Sequence, residues 1–367
     1  MTLYFDSGDD ESATTAHVRV AAADAQVDAR LRHAVGDLFL ADAARLDERT
    51  RAYVEDLLAR IVANAEGDVR RRSASLLVAR GATGIAEALL GGDPVLPRLR
   101  DAGLLRDPEL VGELVARVEL DALFAALAPP ADMPDSPGLL PLMAGSTDDE
   151  VAKAALTLLA ADNRRRAADE GAGSVGSELP AKLHRRLLWL IAAVIREQGL
   201  DTARPGFGPT ADRDRAVAEA TLHVLAEYDE DDRPEAAAVR LASAVGAQTD
   251  ELGQLLARTL SDSRATLFTA LIARAGGLDH DQARRIVTDP RGELLVLILH
   301  AVGIDRARIA RIGVALAEAD PRRDLDRLAD AFDWTAAHDR ADAREAMAPL
   351  ALGRDFRDAV RSLASSG

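Results

Sequence analysis

Asp68-Val69-Arg70-Arg71-Arg72-Ser73-Ala74-Ser75-Leu76-Leu77 is echoed further along the chain by Glu150-Val151-Ala152-Lys153-Ala154-Ala155-Leu156-Thr157-Leu158-Leu159. Acid matches acid, Val69 matches Val151, Arg71 matches Lys153, Ser75 matches Thr157, and both segments end in Leu-Leu. The second segment starts at 150 and the first at 68, an offset of two units of roughly 40 residues, the length of a HEAT-type helical pair. One such pair cannot bury its apolar face alone. It stacks on its neighbours and builds a long curved surface rather than a catalytic pocket. The expected fold is all-α, a HEAT-like helical-repeat solenoid.

Composition agrees with helices. Hydrophobic residues make up 48% of the 367, enough for a large core, while aromatics are only 3%. Apolar content dominated by Ala, Leu and Val suits closely packed helices, and a sheet would favour more aromatic and β-branched residues. No stretch alternates with period two for long enough to mark a strand.

Start and stop signals divide the chain into about sixteen helices. Asp47 to Ala65 carries Tyr53, Leu57, Leu58, Ile61 and Val62 at helical spacing, and Gly67 is expected to separate it from a helix over Asp68 to Ala79. Gly81 can end that helix and Thr83 can cap the next. Asp93-Pro94, Asp107-Pro108 and Asp121 read as helix starts, as do Ser261-Asp262-Ser263 and Glu230-Asp231-Asp232-Arg233-Pro234. Asp289-Pro290 precedes the apolar run Leu294 to Leu299, and Asp320-Pro321 precedes the segment with Leu325 and Leu328.

Four regions follow. Residues 1–12 are acidic and expected to be loose. Residues 13–128 form a first sub-array, 129–138 a Pro-rich break, and 139–367 a second sub-array. Proline at the density of Pro129, Pro130, Pro134 and Pro137 cannot continue a helix. Two long loops, from about Asn163 to Pro180 and from Gly199 to Ala211, are candidate functional segments.

The net charge of −16 disfavours phosphate backbones, so nucleic acid is a poor partner unless a local basic face compensates. Absence of cysteine removes disulfides, thiol catalysis and thiolate metal sites. The longest apolar stretch, Leu187 to Ile195, is half a membrane span and is bracketed by arginines, so it reads as a buried core helix. With no basic segment at the N-terminus, the expectation is a cytoplasmic protein that does not engage a membrane.

One string is more specific: Leu179-Pro180-Ala181-Lys182-Leu183-His184-Arg185-Arg186-Leu187-Leu188-Trp189-Leu190-Ile191-Ala192-Ala193-Val194-Ile195-Arg196. With Leu225-Ala226-Glu227-Tyr228-Asp229 and Gly303 to Ile312, it resembles the alphaproteobacterial proteins grouped as the domain of unknown function 2336, from about residue 40 onward. That resemblance implies HEAT-like helical repeats. It brings no established activity, and no catalytic residue to carry over.

Chemical motifs are few. Gly171-Ala172-Gly173-Ser174-Val175-Gly176 fits the dinucleotide-binding string, but it follows a helical arginine-rich segment rather than a strand, so a loop is the better reading. Glu219 and His223 share a helix face without the second motif a carboxylate-bridged metal pair needs. His280-Asp281 and His338-Asp339 lack further ligands. Capping explains Asp279 beside His280, and His300 reads as a hydrogen-bonded core histidine. There is no Gly-x-Ser-x-Gly and no Gly-Lys-Ser.

The expectation is therefore a non-enzymatic protein-interaction or regulatory scaffold with no cofactor and no metal. Its partner would lie on the concave face, touching Arg71, Lys153 and the adjacent Arg70. For the arginine clusters as a whole, pairing with acids of neighbouring helices is the favoured reading over an anionic ligand. A nucleic-acid module of HEAT-like type, or an enzyme of a type no motif betrays, is the alternative. Trp189→Ala is expected to cost about 3–5 kcal/mol if the indole is buried, and a near-neutral effect would make Trp189 an exposed interface anchor.

Overall fold

The computed structural model describes residues 46–127, 137–169, 179–199, 210–247 and 249–352, with positions 356, 359, 360 and 363 beyond them. The acidic N-terminus, the Pro-rich break up to 136, the Gly171–Gly176 string, most of the 199–211 loop, His17 and His33 lie outside the described residues. From Arg49 onward the chain forms one compact unit.

Every regular element among the described residues is helical, with sixteen α-helices. Helix α1 (Glu48–Ala79) is a single helix of 32 residues. Gly67 does not break it. The guanidinium of Arg71 lies over the missing side chain, where a Cβ would come within 2.9 Å of Nη1. The helix stops at Gly81, whose φ of +78° is open to glycine at little cost. There the N–H of Ala82 donates back to the Leu77 carbonyl at 2.9 Å.

Helices α2 (Thr83–Leu90) and α3 (Val95–Asp101) follow, and then α4 (Pro108–Ala125). Asp107 caps α4 as expected, its Oδ1 accepting from the N–H of Glu109 at 2.8 Å and of Leu110 at 3.1 Å. Asp121 starts nothing. It sits inside α4 and faces Arg117 at 3.7 Å, one turn back. Thr83 is the first residue of α2 rather than its cap. Ser261-Asp262-Ser263 closes a helix instead of opening one, and Asp262 reaches across to accept from the N–H of Leu139 at 2.5 Å. A carboxylate can cap a helix from a distant part of the chain, which local spacing does not reveal.

The remaining helices are α5 (Leu139–Ala144), α6 (Asp149–Asp169), α7 (Ala181–Gln198), α8 (Thr210–Glu227), α9 (Pro234–Val245) and α10 (Thr249–Ser261). Then come α11 (Ala265–Gly276), α12 (His280–Thr288), α13 (Glu293–Ala301), α14 (Arg306–Ala319), α15 (Leu325–Ala337) and α16 (Arg340–Met347).

Their apolar faces form two cores, and these do not follow chain order. The first joins α1, α2, α3 and the first part of α4, through Val118, to α7 and α8. The second takes the end of α4 from Leu120, then α5, α6 and α9 through α16. The α7–α8 hairpin therefore returns across the Pro-rich break to the first core. Ion pairs seal the return: Arg98 to Glu197 at 2.8 Å, Arg80 to Glu219 at 2.5 Å, and Arg72 to Glu227. Moving from Arg72 in α1 to Arg80 just past its end moves down α8 from Glu227 to Glu219, so those helices run antiparallel. Exposed pairs of this kind contribute little each. The buried leucines carry the energy, at about 1.5–3 kcal/mol per fully buried side chain.

The echoed segments share a local detail. Ser75 Oγ donates to the Arg71 carbonyl at 3.0 Å, and Thr157 Oγ1 donates to the Lys153 carbonyl at 2.9 Å. Their surroundings differ. In α1 the segment lies in the last turns and buries Val69, Arg70, Ser73, Ala74 and Leu77. In α6 it occupies the first turns, and Ala155 and Leu158 are buried. The fully buried leucine has moved by one position, about 100° around the helix. The two segments present different faces to their cores.

Candidate functional site

Arg70, expected on a partner-facing surface, is buried. Its Nε donates to Glu66 Oε1 at 2.7 Å, and its Nη2 to the Asp93 carbonyl and to Gln198 Oε1, both at 2.8 Å. Its Nη1 donates to the Leu89 carbonyl at 2.5 Å. Glu66 completes the knot by accepting from the N–H of Val95 at 3.0 Å. The arginine thus ties α1 to the end of α2, the start of α3 and the end of α7. Planar guanidinium suits such a task, because its forked donors can meet several acceptors at once. The spacing that put Arg70 beside Arg71 also turned it toward the core.

Arg71 and Lys153 are both exposed. Arg71 pairs with Asp68 of its own helix at 2.6 Å. On α6, Leu156 lies one turn beyond Lys153 and is 56% exposed. On α1, Val78 lies two turns beyond Arg71 and is likewise exposed.

The outer face of α7 is more distinctive. The inner face buries Leu183, His184, Leu187, Leu188, Ile191 and Ile195. Opposite them stand Lys182, Arg185, Arg186, Trp189, Ala193 and Arg196, all exposed. Trp189 is 37% exposed, the alternative that makes it an interface anchor. Arg185 and Arg186 lie one turn before it, so a large aromatic surface is rimmed by guanidinium groups. Arg186 pairs with Asp107, Lys182 with Glu109 at 2.9 Å and Arg196 with Asp214 at 2.9 Å. The spacing held this information. Residues 185, 189, 193 and 196 share a stripe opposite 187, 191 and 195, and the length of the apolar run had hidden it.

Beside the start of α7 lies a cleft of about 350 Å³ between α4 and α12. Its floor is a network of charges. Glu113 accepts both branches of Arg284, at 3.0 and 2.5 Å, and meets Arg233 at 3.5 Å. Arg233 also faces Glu235 at 3.4 Å, and Arg165 donates to Glu235 at 2.6 Å. Burial alone would raise the Glu235 carboxyl, but Arg165 and Arg233 outweigh it and hold that group well below the usual carboxylate range. Burial would weaken the Arg284 cation, and its bonds to Glu113 reverse the effect. Glu235 is thus held as an ionised acceptor between Arg165 and Arg233. Arg164-Arg165-Arg166 and Arg284-Arg285 were visible as arginine clusters. Their partners Glu235 and Glu113, 70 and 171 residues away in sequence, were not.

Histidines resolve individually. His184 is buried against the ring of Tyr228, with centroids 4.4 Å apart. Burial lowers its pKa to about 4. The Tyr228 hydroxyl donates to the Leu179 carbonyl at 2.6 Å, and burial raises its pKa to about 12. Asp279 caps α12 beside His280, accepting from the N–H of Gln282 at 2.7 Å. His300 is hydrogen-bonded to the His338 carbonyl at 3.2 Å, half-buried at the end of α13 rather than in the core. Among the described residues no group of three or more His, Cys, Asp or Glu is placed to hold a metal ion. No described helix is long and apolar enough to cross a membrane.

These features define an all-helical protein whose most distinctive surfaces are a basic aromatic helix face and a charged cleft. Residues 163–351, more than half of the chain, match the family described as an uncharacterised protein conserved in bacteria (DUF2336), and the chain belongs to that family. The match is narrower than the resemblance read from about residue 40 onward, and it contains α7, α8 and everything through α16. No curated protein and no solved structure matches the chain.

Proposed function

We propose that the protein is a non-enzymatic interaction or regulatory scaffold that holds a protein partner on a helical-repeat surface, with an acidic segment of that partner lying along the outer face of α7. The observation that carries this reading is Trp189, exposed between arginines on a helix whose opposite face is core. Tryptophan and arginine dominate the energetics of protein interfaces. Of the seven exposed residues of α7, four are basic and one, Glu197, is acidic, in a chain of net charge −16, which favours an acidic partner over a basic one. The Lys182–Glu109 pair is exposed and weak enough to exchange, while Asp107 and Asp214, the partners of Arg186 and Arg196, are half-buried. Arg71 and Lys153 extend the reading to a second contact. Arg70 leaves it, because its donors are consumed inside the fold. The reading includes a cytoplasmic setting, suggested by the cysteine-free acidic composition.

The test is capture of a labelled Glu- and Leu-rich helical peptide, with labelled single-stranded DNA as a second probe. Trp189→Ala and Arg185→Glu should each weaken peptide capture at least several-fold while leaving the thermal midpoint in place. Unchanged peptide capture removes the proposal. Salt-dependent DNA binding lost in the same variants would replace it with a nucleic-acid function, since aromatic and basic faces also stack bases.

A further inference from the structure

Across the hairpin from Trp189 stands a second large apolar side chain, Leu222 of α8, which is 52% exposed. Two contacts fix how α7 and α8 lie. Near one end the Tyr228 hydroxyl donates to the Leu179 carbonyl at 2.6 Å, and near the other Arg196 pairs with Asp214 at 2.9 Å. The helices are therefore antiparallel. Trp189 stands seven residues before Arg196, and Leu222 eight after Asp214, so the two are level to within one residue, about 1.5 Å. Both border the same seam. On α7, Arg185, Trp189 and Arg196 share the edge marked by Asp214, whereas Arg186 and Glu197 turn the other way, to Asp107 and Arg98. On α8, Glu219 and Glu227 turn toward Arg80 and Arg72, which leaves Arg215 and Leu222 outward beside the seam. Ala192 is buried and Ala218 half-buried between the two edges. The seam is thus a shallow groove floored by methyl groups and walled by an indole and a leucine.

Its charge is one-sided. Asp214, the carboxylate that borders it, is already answered by Arg196. Arg185 and Arg215 are exposed, and among the described residues neither is paired with a carboxylate. They stand toward opposite ends of the groove, ten helical rises or about 15 Å apart along it. We infer that an acidic amphipathic helix of a partner protein seats in the groove between α7 and α8, its apolar stripe between Trp189 and Leu222 and a carboxylate on each of Arg185 and Arg215. The inference rests on the interaction reading of α7 and specifies the partner. Eleven residues return a helix to the same face and span about 16.5 Å, so the two acids lie eleven apart, with apolar side chains four and seven residues after the first. A second copy of this face is disfavoured, because an isologous contact would set these arginines against their own like charges.

The test is fluorescence anisotropy of the full chain with a labelled helical peptide of that pattern, glutamates at the two acidic positions and leucines at the two apolar ones. Leu222→Ala and Arg215→Glu should each weaken binding at least about five-fold, with helical content and thermal midpoint unchanged. A peptide with lysine in place of one glutamate should bind the parent weakly and regain affinity for Arg215→Glu. Loss in Trp189→Ala with full binding in both Leu222→Ala and Arg215→Glu overturns the groove and leaves the α7 face alone as the site. A peptide with its glutamates on opposite faces that binds as tightly overturns the spacing, and with it the inference. Absence of peptide binding to the parent overturns the groove and the α7 reading together.

Discussion

Replacing Arg70 should cost more than replacing any other charged residue on α1. The side chain is 6% exposed, and Glu66, its carboxylate partner, is 9% exposed. Arg70→Ala removes the donors that serve Glu66, the Leu89 and Asp93 carbonyls and Gln198. Hydrogen bonds to a charged group contribute about 1.5–3 kcal/mol each but are not additive. The larger effect is a buried carboxylate left without its cation, and breaking such a pair costs about 3–5 kcal/mol. Urea unfolding followed by helical circular dichroism should show a loss of this size with the denaturant slope unchanged. Charge reversal to Glu would place two carboxylates together and unfold the α1–α3 end, so a partner test should reverse Arg71 and Lys153 only. Glu66→Leu with Arg70→Met should lose less than the two single changes added together, because the pair is removed as a unit. A loss for Arg70→Ala within about 0.5 kcal/mol, the range of an exposed site, would refute the knot.

Other expectations are simpler. Phe268 has no exposed surface and its ring lies 5.4 Å from that of Phe124, so Phe268→Ala should cost about 3–5 kcal/mol in the same unfolding assay. Trp189→Ala should cost less than about 1 kcal/mol, since the indole is 37% exposed, and a core-sized loss would return Trp189 to the interior. His184 titrates at about 4 in the folded chain against an ordinary 6.5. Between those values the unfolded chain binds a proton that the folded chain does not, so stability falls as pH drops from 6.5 toward 4 and is fully present above 6.5. That group alone supplies up to about 3 kcal/mol of the fall. His184→Phe should flatten that part of the pH profile, and an unchanged slope would mean His184 is protonated in the fold.

The all-helical class was legible from composition, from the acid-then-proline starts and from the echoed Leu-Leu segments. Asp107-Pro108 and Asp279 cap as their spacing says, because capping is a local interaction. Gly67 and Asp121 mislead for the converse reason. Burial of neighbouring leucines outweighs a local penalty of about 1 kcal/mol for glycine inside a helix. Arg70 illustrates the limit for sites. Its role depends on Asp93 and Gln198, and nothing near residue 70 announces either. The return of α7 and α8 to the first core was equally invisible, since chain order carries no record of which helices share a core. The outward face of α7 was available from spacing, as Arg185, Trp189 and Arg196 fall on the side away from Leu187, Ile191 and Ile195.

That return is the claim on which the position of α7 rests, and amide hydrogen exchange tests it most directly. Leu188 has no exposed surface and lies in the first core. Leu188→Ala should loosen amides of α1 and α3 together with those of α7, while α11 in the second core keeps its protection. Loosening confined to α7 and its sequence neighbours, with α1 unchanged, would contradict the account.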